Sequence, residues 1–221
     1  MSVLDILITY HVAFLEGLSV TLALCGVVWF FGLTVGVALG AFGAQRRQSW
    51  GAFIHGASFA FSAIPALVIL FWLHYPAQAV FNVVIDPFFT SSLTLGLVNV
   101  FGVAEAVRQA MVDFPAQYVI AGRVSGMTRR EIVRYVKLPI LFRQLLPTLL
   151  VLQVGVLHAS LFASLISVEE IFRVAQRINS IIYRPVEIYT ALAFFFLMVC
   201  LPINLFAAWL RRKATRDFSE K

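Results

Sequence analysis

The sequence predicts an all-α, polytopic membrane protein with five transmembrane helices in a single domain over residues 1–221. Three observations carry that reading. First, 61% of the 221 residues are apolar, only 13% are charged, and the mean hydropathy is +0.90, whereas a soluble domain charges roughly a quarter of its residues to cover its surface. Second, five intervals lack Asp, Glu, Lys and Arg altogether, at 17–45, 48–85, 87–104, 144–168 and 188–210, and each is long enough, or nearly so, for the roughly 20 helical residues that cross a bilayer. Third, those intervals use most of the chain and leave no room for a second sizeable soluble domain. The first partner implied is the lipid bilayer. The net charge of +6 does not point to nucleic acid, because the basic residues fall in the loops between the intervals.

The first span is placed at about 17–42. No Lys or Arg precedes Arg46, and the apolar run after Glu16 exceeds the core of a signal peptide, so it reads as a retained span. Gly32, Gly36 and Gly40 recur every fourth residue, which aligns them on one face and lets another helix approach, within the subunit or across a dimer. The second interval is too long for one span; its helix is placed at 53–73, with His74–Pro87 as a loop around Pro76 and Pro87. Ser58, Ser62 and Ala66 form a second small-residue stripe there. The third span, about 88–107, shares its last turn with Glu105 and Arg108. The fourth and fifth are placed at about 144–164 and 188–210. Cys25 and Cys200 lie inside apolar runs, where a thiol acts as a small hydrophobe.

Counting basic residues orients the chain. Two follow span one (Arg46, Arg47), seven lie between spans three and four, three between four and five, and five in the tail. With the seven-residue loop cytoplasmic, fourteen of the seventeen lie inside, as the positive-inside rule expects. The N-terminus is then out and the C-terminus in. Arg173, Arg177 and Arg184 fall on the outer side, with Glu169, Glu170 and Glu187 nearby to offset them.

The polar segment 113–139 is the most informative. Asp113-Phe114-Pro115 reads as a helix start and Gly126 as a helix stop, where glycine takes positive φ. Thr128-Arg129-Arg130-Glu131 then has capping-box spacing. A second short helix follows, with Ile132, Val133 and Val136 as its apolar stripe, Arg129, Arg130, Arg134 and Lys137 as its polar side, and Pro139 as its break. On physical grounds alone this is an interfacial helix that anchors a loop to anionic lipid.

The stretch Ile120-Ala121-Gly122-Arg123-Val124-Ser125-Gly126, followed by nine residues and Val136-Lys137-Leu138-Pro139, resembles the cytoplasmic motif of ABC-importer permeases: Glu-Ala-Ala, three residues, Gly, nine residues, Ile-x-Leu-Pro. Ile120 stands where the family usually has Glu, and Gly122 where it has the second Ala. The resemblance runs from Gly17 and Thr21 to the basic tail at Arg211-Arg212-Lys213, and its best-matching subgroup is the polar amino-acid uptake permeases. Ala104-Glu105-Ala106-Val107-Arg108 resembles their Ala-Glu-x-x-Arg segment. Ser160-Leu161, Val168-Glu169-Glu170 and Ala175-Gln176-Arg177-Ile178-Asn179 resemble their exit from the fourth span. Ser62-Ala63-Ile64-Pro65 replaces their usual Arg-Gly-Thr-Pro, and Leu157 replaces a common Lys.

The resemblance implies a type I ABC-importer permease fold and the bacterial cytoplasmic (inner) membrane. It implies that Ala121, Gly122, Arg123, Gly126 and Met127 form a coupling helix that docks on a separate, dimeric ATPase subunit. ATP and magnesium belong to that partner: none of the three lysines, Lys137, Lys213 and Lys221, follows a glycine, so the chain has no phosphate-binding P-loop and no cofactor of its own is expected. It implies a second permease, identical or homologous, and an extracytoplasmic solute-binding protein that docks on Glu169, Glu170 and Arg173. On residue chemistry alone that segment reads equally as a solvated charged face.

Polar residues inside spans are costly and therefore informative. Asn99, Gln153 and Ser164 are among them, and Glu105, Arg108, His158 and Ser160 are the candidates for the substrate pathway. Glu105 and Arg108, three apart, also suit mutual pairing, and His158 suits a hydrogen-bonded imidazole. Two other classes compete with transport. A membrane-embedded enzyme would need His, Asp or Glu clustered on facing helices, and the spans contain no such pair at helical spacing. A membrane-anchored scaffold or regulator needs only the amphipathic helix.

Overall fold

A capping box opens the chain: the Asp5 amide donates to Ser2 Oγ (3.3 Å) and the Ser2 amide to Asp5 Oδ2 (2.7 Å), starting a short helix, α1 (Val3–Thr9). The computed structural model describes residues 2–46 and 49–219, the last six without side chains; Arg47 and Lys221 lie outside it. Helix α2 (His11–Gln45) forms the first span and runs 35 residues, about 52 Å. It begins six residues before the expected start, and α1 occupies a stretch that the sequence assigned to no element.

The second span departs most from expectation. It is two helices, α3 (Trp50–Ala63) and a second that runs from Ala66 to Phe81, bent by 91° between them. Proline forces the break: a residue before proline is pushed out of helical geometry, and Ile64 is extended at φ −98°, ψ 126°. The second helix comprises α4 (Ala66–Trp72), a π-helical turn at Leu73–Ala77 and α5 (Gln78–Phe81). His74–Phe81, expected as loop, is therefore helical. Pro76 sits inside the π turn, whose wider ring leaves room for its missing donor.

The bent pair runs alongside the next span. Against α6 (Pro87–Val112), the third span, His55 meets Glu105, Phe61 stacks on Phe101, and Gln78 bonds Thr90. That descent from 105 to 90 covers about 22 Å of helix, the course of a broken span, which brings the candidate crossings to five.

Beyond α6 come α7 (Ala116–Val124) and α8 (Arg129–Glu131), then a π-helical stretch at Ile132–Lys137, α9 (Leu138–Ala159) and a 3₁₀ turn, Ser160–Ile166. Pro139 does not break this run. One helix extends from Arg129 to Ile166, 38 residues, or about 57 Å, because the π turn just before Pro139 absorbs the lost hydrogen bond. The hairpin's second arm is thus continuous with span four. Helix α10 (Ile171–Ile182) and the long α11 (Pro185–Ser219), the fifth span, complete the chain.

Spans three and four are the interior of the bundle, each 44% buried over its most apolar window, against 28% for span one and 22% for span five. The glycine stripe of α2 packs on α6. A Cβ at Gly36 would lie 2.8 Å from Val100 O and from Val103 Cβ, and one at Gly40 would lie 2.8 Å from Val107 Cβ. The close approach is within the subunit. Ser58, Ser62 and Ala66 make no such seam: Ser62 is exposed and the other two are half-buried. At the end opposite the hairpin, Ile6, Ile171, Val174, Ile178, Ile188 and Leu192 form a core that ties α1 and α10 to span five. Leu22, Phe30 and Phe31 of span one and Phe194 and Met198 of span five face outward, the surface that hydrocarbon rewards.

Candidate functional site

The hairpin from Ala116 to Lys137 is locked locally. Its turn closes through Ser125 N to Ala121 O, Gly126 N to Arg123 O and Met127 N to Gly122 O, each 3.0 Å. Gly126 holds φ +79°, a conformation that a side chain would strain. The expected capping box is present. Thr128 N and Oγ1 both donate to Glu131 Oε2 at 2.7 Å, and Glu131 N donates back to Thr128 Oγ1 at 3.3 Å; those bonds hold the Glu131 carboxyl below its usual range. Ile132, 4% exposed, closes the fork against Gly122, where a Cβ would lie 3.0 Å from Ile132 Cγ1.

The five coupling candidates therefore divide. Ala121, Arg123 and Gly126 are exposed, Met127 is half-buried, and Gly122 is buried in the fork. Gly122 acts inside the hairpin, a correction to its placement on the contact face. Ile120 and Val124, one turn apart, expose 58% and 84% and supply an apolar edge. Arg123, Arg129 and Arg130 are exposed around it. Lys137 lies 5.5 Å over the Phe114 ring and Arg134 5.8 Å over Tyr135.

At the hairpin end of span three, Arg108 grips Glu105 through Nε to Oε2 (2.7 Å) and Nη2 to Oε1 (2.6 Å). Gln109 Nε2 donates to Oε1 at 2.7 Å, and His55 Nδ1 lies 2.9 Å from the same oxygen. The three-residue spacing foretold the Glu105–Arg108 pair. His55 comes from a different span, and no local pattern marks it.

Deeper in the bundle, Asn99 and Gln153 bond each other (Asn99 Nδ2 to Gln153 Oε1, 2.9 Å; Gln153 Nε2 to Asn99 Oδ1, 3.3 Å). Asn99 Nδ2 also reaches Val28 O, and Trp29 Nε1 reaches Gln153 O. This knot ties spans one, three and four, and Gly32 faces Asn99 across it. Both polar residues stood out in the sequence, but nothing in it paired them.

Ser160 is fully buried and donates to Leu157 O at 2.8 Å, so it faces the core, a correction to its placement on a pathway. His158 is exposed, its ring tilted against that of Phe196 with centroids 6.2 Å apart.

Glu169, Glu170 and Arg173 also separate. Glu169 lies on the surface with Arg173 (3.7 Å) and Arg177 (3.1 Å). Glu170 is 0% exposed and caps α10, accepting from Phe172 N (3.0 Å) and Arg173 N (2.9 Å). Burial raises its carboxyl to about 7 against those lowering bonds. The adjacent Ile171 amide donates to Thr21 Oγ1 of span one, and Gly17 packs on Val174. Glu170 thus pins a helix and presents nothing to a docking partner, which corrects its grouping with Glu169 and Arg173. Among the described residues, no three His, Cys, Asp or Glu side chains gather to hold a metal ion.

Residues 32–216 match the family described as binding-protein-dependent transport system inner membrane component. The chain is 28% identical over 207 residues to the glutamine transport system permease protein of Escherichia coli (strain K12), covering 90% of this chain and 91% of that one. It is 29% identical over 204 residues to the L-cystine transport system permease protein of Bacillus subtilis (strain 168), covering 90% and 86%. A crystal structure of an amino acid ABC transporter with histidines superposes with a TM-score of 0.78 at 26% identity, over 96% of this chain and 99% of that chain.

Proposed function

The chain belongs to the family of binding-protein-dependent transport system inner membrane components; it is a permease subunit of an ABC importer, and we propose that its cargo is a polar amino acid or a similar small solute. The names of its glutamine and cystine relatives support that cargo. The reading extends to partners. The hairpin lies in the cytoplasm, the N-terminus outside and the C-terminus inside, in a bacterial cytoplasmic membrane. A dimeric ATPase that holds ATP and magnesium docks on the hairpin through Ala121, Arg123, Gly126 and Met127. A second permease, identical or homologous, completes the path, and an extracytoplasmic binding protein delivers solute near Glu169 and Arg173.

The observation that carries the coupling is continuity. Helix Arg129–Ile166 is one 38-residue rod, and Gly122 and Ile132 lock the first arm of the hairpin to its base. A displacement of the hairpin therefore moves span four as a rigid body and is not absorbed by a loop. The exposed Ile120–Val124 edge suits an apolar groove, and Arg123, Arg129 and Arg130 suit an acidic rim around it.

Mild-detergent purification from the native membrane, with mass spectrometry of co-purifying subunits, tests the assembly: a P-loop ATPase and two permease chains are expected. Gly126→Arg is expected to abolish amino-acid uptake while the chain still reaches the membrane. Recovery of the chain alone, with uptake unaffected by Gly126→Arg, would refute the reading.

A further inference from the structure

The outward face of span four carries polar side chains that, unlike Thr34 of span one or Asn204 of span five, do not bond back to their own helix. Thr148, Val151, Gly155 and His158 are all exposed, and their spacing of three, four and three places them on one stripe. Span one's outward face is mostly Leu22, Val27, Phe30, Phe31 and Val35, as hydrocarbon requires; its exposed hydroxyls, Ser19 and Thr34, donate back to their own helix at Glu16 O and Phe30 O. On span four the stripe carries a hydroxyl, an imidazole and a glycine whose Cβ position has no atom within 4 Å.

Depth makes the imidazole informative. The charge-free stretch of span four runs from 144 to 168, between Arg143 and Glu169, so its middle is residue 156 and His158 lies two residues away. From the other end, His158 is eight residues before Ile166, the last residue of the rod, or about 15 Å with its 3₁₀ turn. Phe196, which it touches, is eleven residues into α11, or about 16 Å. Both measures place His158 near the centre of a hydrocarbon layer about 30 Å thick.

Among the described residues, neither His158 nor Thr148 has a hydrogen-bond partner within the chain. An unpaired polar side chain facing lipid at that depth costs several kcal/mol, so intramembrane polar groups face protein or water. No element of this chain covers the stripe. The remaining occupant is the second permease, with an aqueous path between the two subunits.

We infer that His158 faces the solute path between the two permease subunits, where its imidazole hydrogen-bonds a polar group of the passing solute. Gly155, one turn below, leaves the space beside it that a solute needs, and Thr148 continues the polar stripe toward the hairpin. The inference rests on the importer reading and assigns it a residue.

Cysteine accessibility tests it in vesicles that contain the whole complex. Phe31, 52% exposed, sits at the middle of span one's charge-free stretch, 17–45, and is the lipid-facing control at matched depth. Cys25 and Cys200 are buried and give the background. His158→Cys is expected to react with a cationic, water-soluble methanethiosulfonate at least about tenfold faster than Phe31→Cys, because a thiol in apolar surroundings stays in its unreactive neutral form. The amino acid that drives uptake should slow that labelling. His158→Gln, which keeps a donor and an acceptor, should retain more solute-stimulated ATPase activity than His158→Leu. Labelling as slow as Phe31→Cys, or labelling that the solute leaves unchanged, overturns the inference. Recovery of the ATPase from the same vesicles separates the two failures: with the ATPase present, only the role of His158 falls; without it, the importer reading falls first.

Discussion

Replacing Gly36 or Gly40 with alanine tests the seam between spans one and three, and the structure sets both the sign and the size of the effect. A Cβ at Gly36 would meet Val100 O and Val103 Cβ at 2.8 Å, while ordinary contact begins at 3.4 Å, so the two helices must part by about 0.6 Å or their backbones must bend. Val100 O is main chain and cannot rotate away. Forcing a methyl into a packed interface costs about 1–3 kcal/mol, and alanine returns about 0.5–1 kcal/mol of helix propensity over glycine. A net loss of up to about 2.5 kcal/mol per site follows, centred on about 1 kcal/mol. Gly26, in the same helix, has nothing within 4 Å of its Cβ position, so Gly26→Ala keeps only the propensity gain and should stabilise the chain. Gly36→Ala with Gly40→Ala should fall short of the sum of the singles, because a seam opened once admits the second methyl more easily. Thermal denaturation of detergent-solubilised chain, followed by size-exclusion of a fluorescent fusion, orders them as Gly26→Ala at or above wild type, then Gly36→Ala and Gly40→Ala below it. Gly36→Ala melting with or above Gly26→Ala would refute the reasoning, since it would mean that the helices do not approach this closely.

Three further perturbations follow from particular groups. Asn99→Leu leaves Gln153 without its side-chain partner inside the bundle and should cost about 1–3 kcal/mol; the double variant with Gln153→Leu should recover part of it, and a double variant no better than Asn99→Leu would show that the knot is not a coupled pair. Glu170 binds its proton more tightly folded, at about 7, than at its ordinary 4.5. Its neutral form is therefore the stabilising one, with the contribution complete below pH 4.5 and lost as pH rises through 7, to a limit of about 3 kcal/mol. Glu170→Gln keeps one of the two acceptor oxygens that meet the Phe172 and Arg173 amides and cannot ionise, so it should flatten that part of the melting-temperature profile, and an unchanged slope would point to another group. Thr128→Ala removes the capping hydroxyl and should cost about 1 kcal/mol, read as faster amide exchange in the second arm of the hairpin while the spans keep their protection.

The class of the molecule was legible from composition and charge spacing alone, because hydrocarbon imposes a rule that acts on every residue: a long segment either lacks charges or does not cross. Local signals succeeded for the same reason of range. Thr128 and Glu131 cap a helix, Gly126 turns a chain and Glu105 meets Arg108 through residues a few positions apart, so sequence spacing is their geometry. The prolines show where local reading stops. Pro65 breaks a stretch that the sequence placed as one helix, 53–73, whereas Pro76 and Pro139, expected in a loop and at a helix break, lie within helix because neighbouring π-helical turns relocate the hydrogen bonds they delete.

By itself, the sequence determined that this chain is a membrane-embedded helical bundle with a basic hairpin between its third and fourth spans. Only the tertiary structure decided which residues of that hairpin and those spans are available to a partner. Gly122, Ser160 and Glu170 are consumed by packing and capping inside the chain, while Ile120, Val124 and His158 are left uncovered. That sorting depends on contacts such as Gly17 with Val174 and Asn99 with Gln153, between residues far apart in the sequence, and spacing along the chain carries no information about which side of a helix its neighbours will cover.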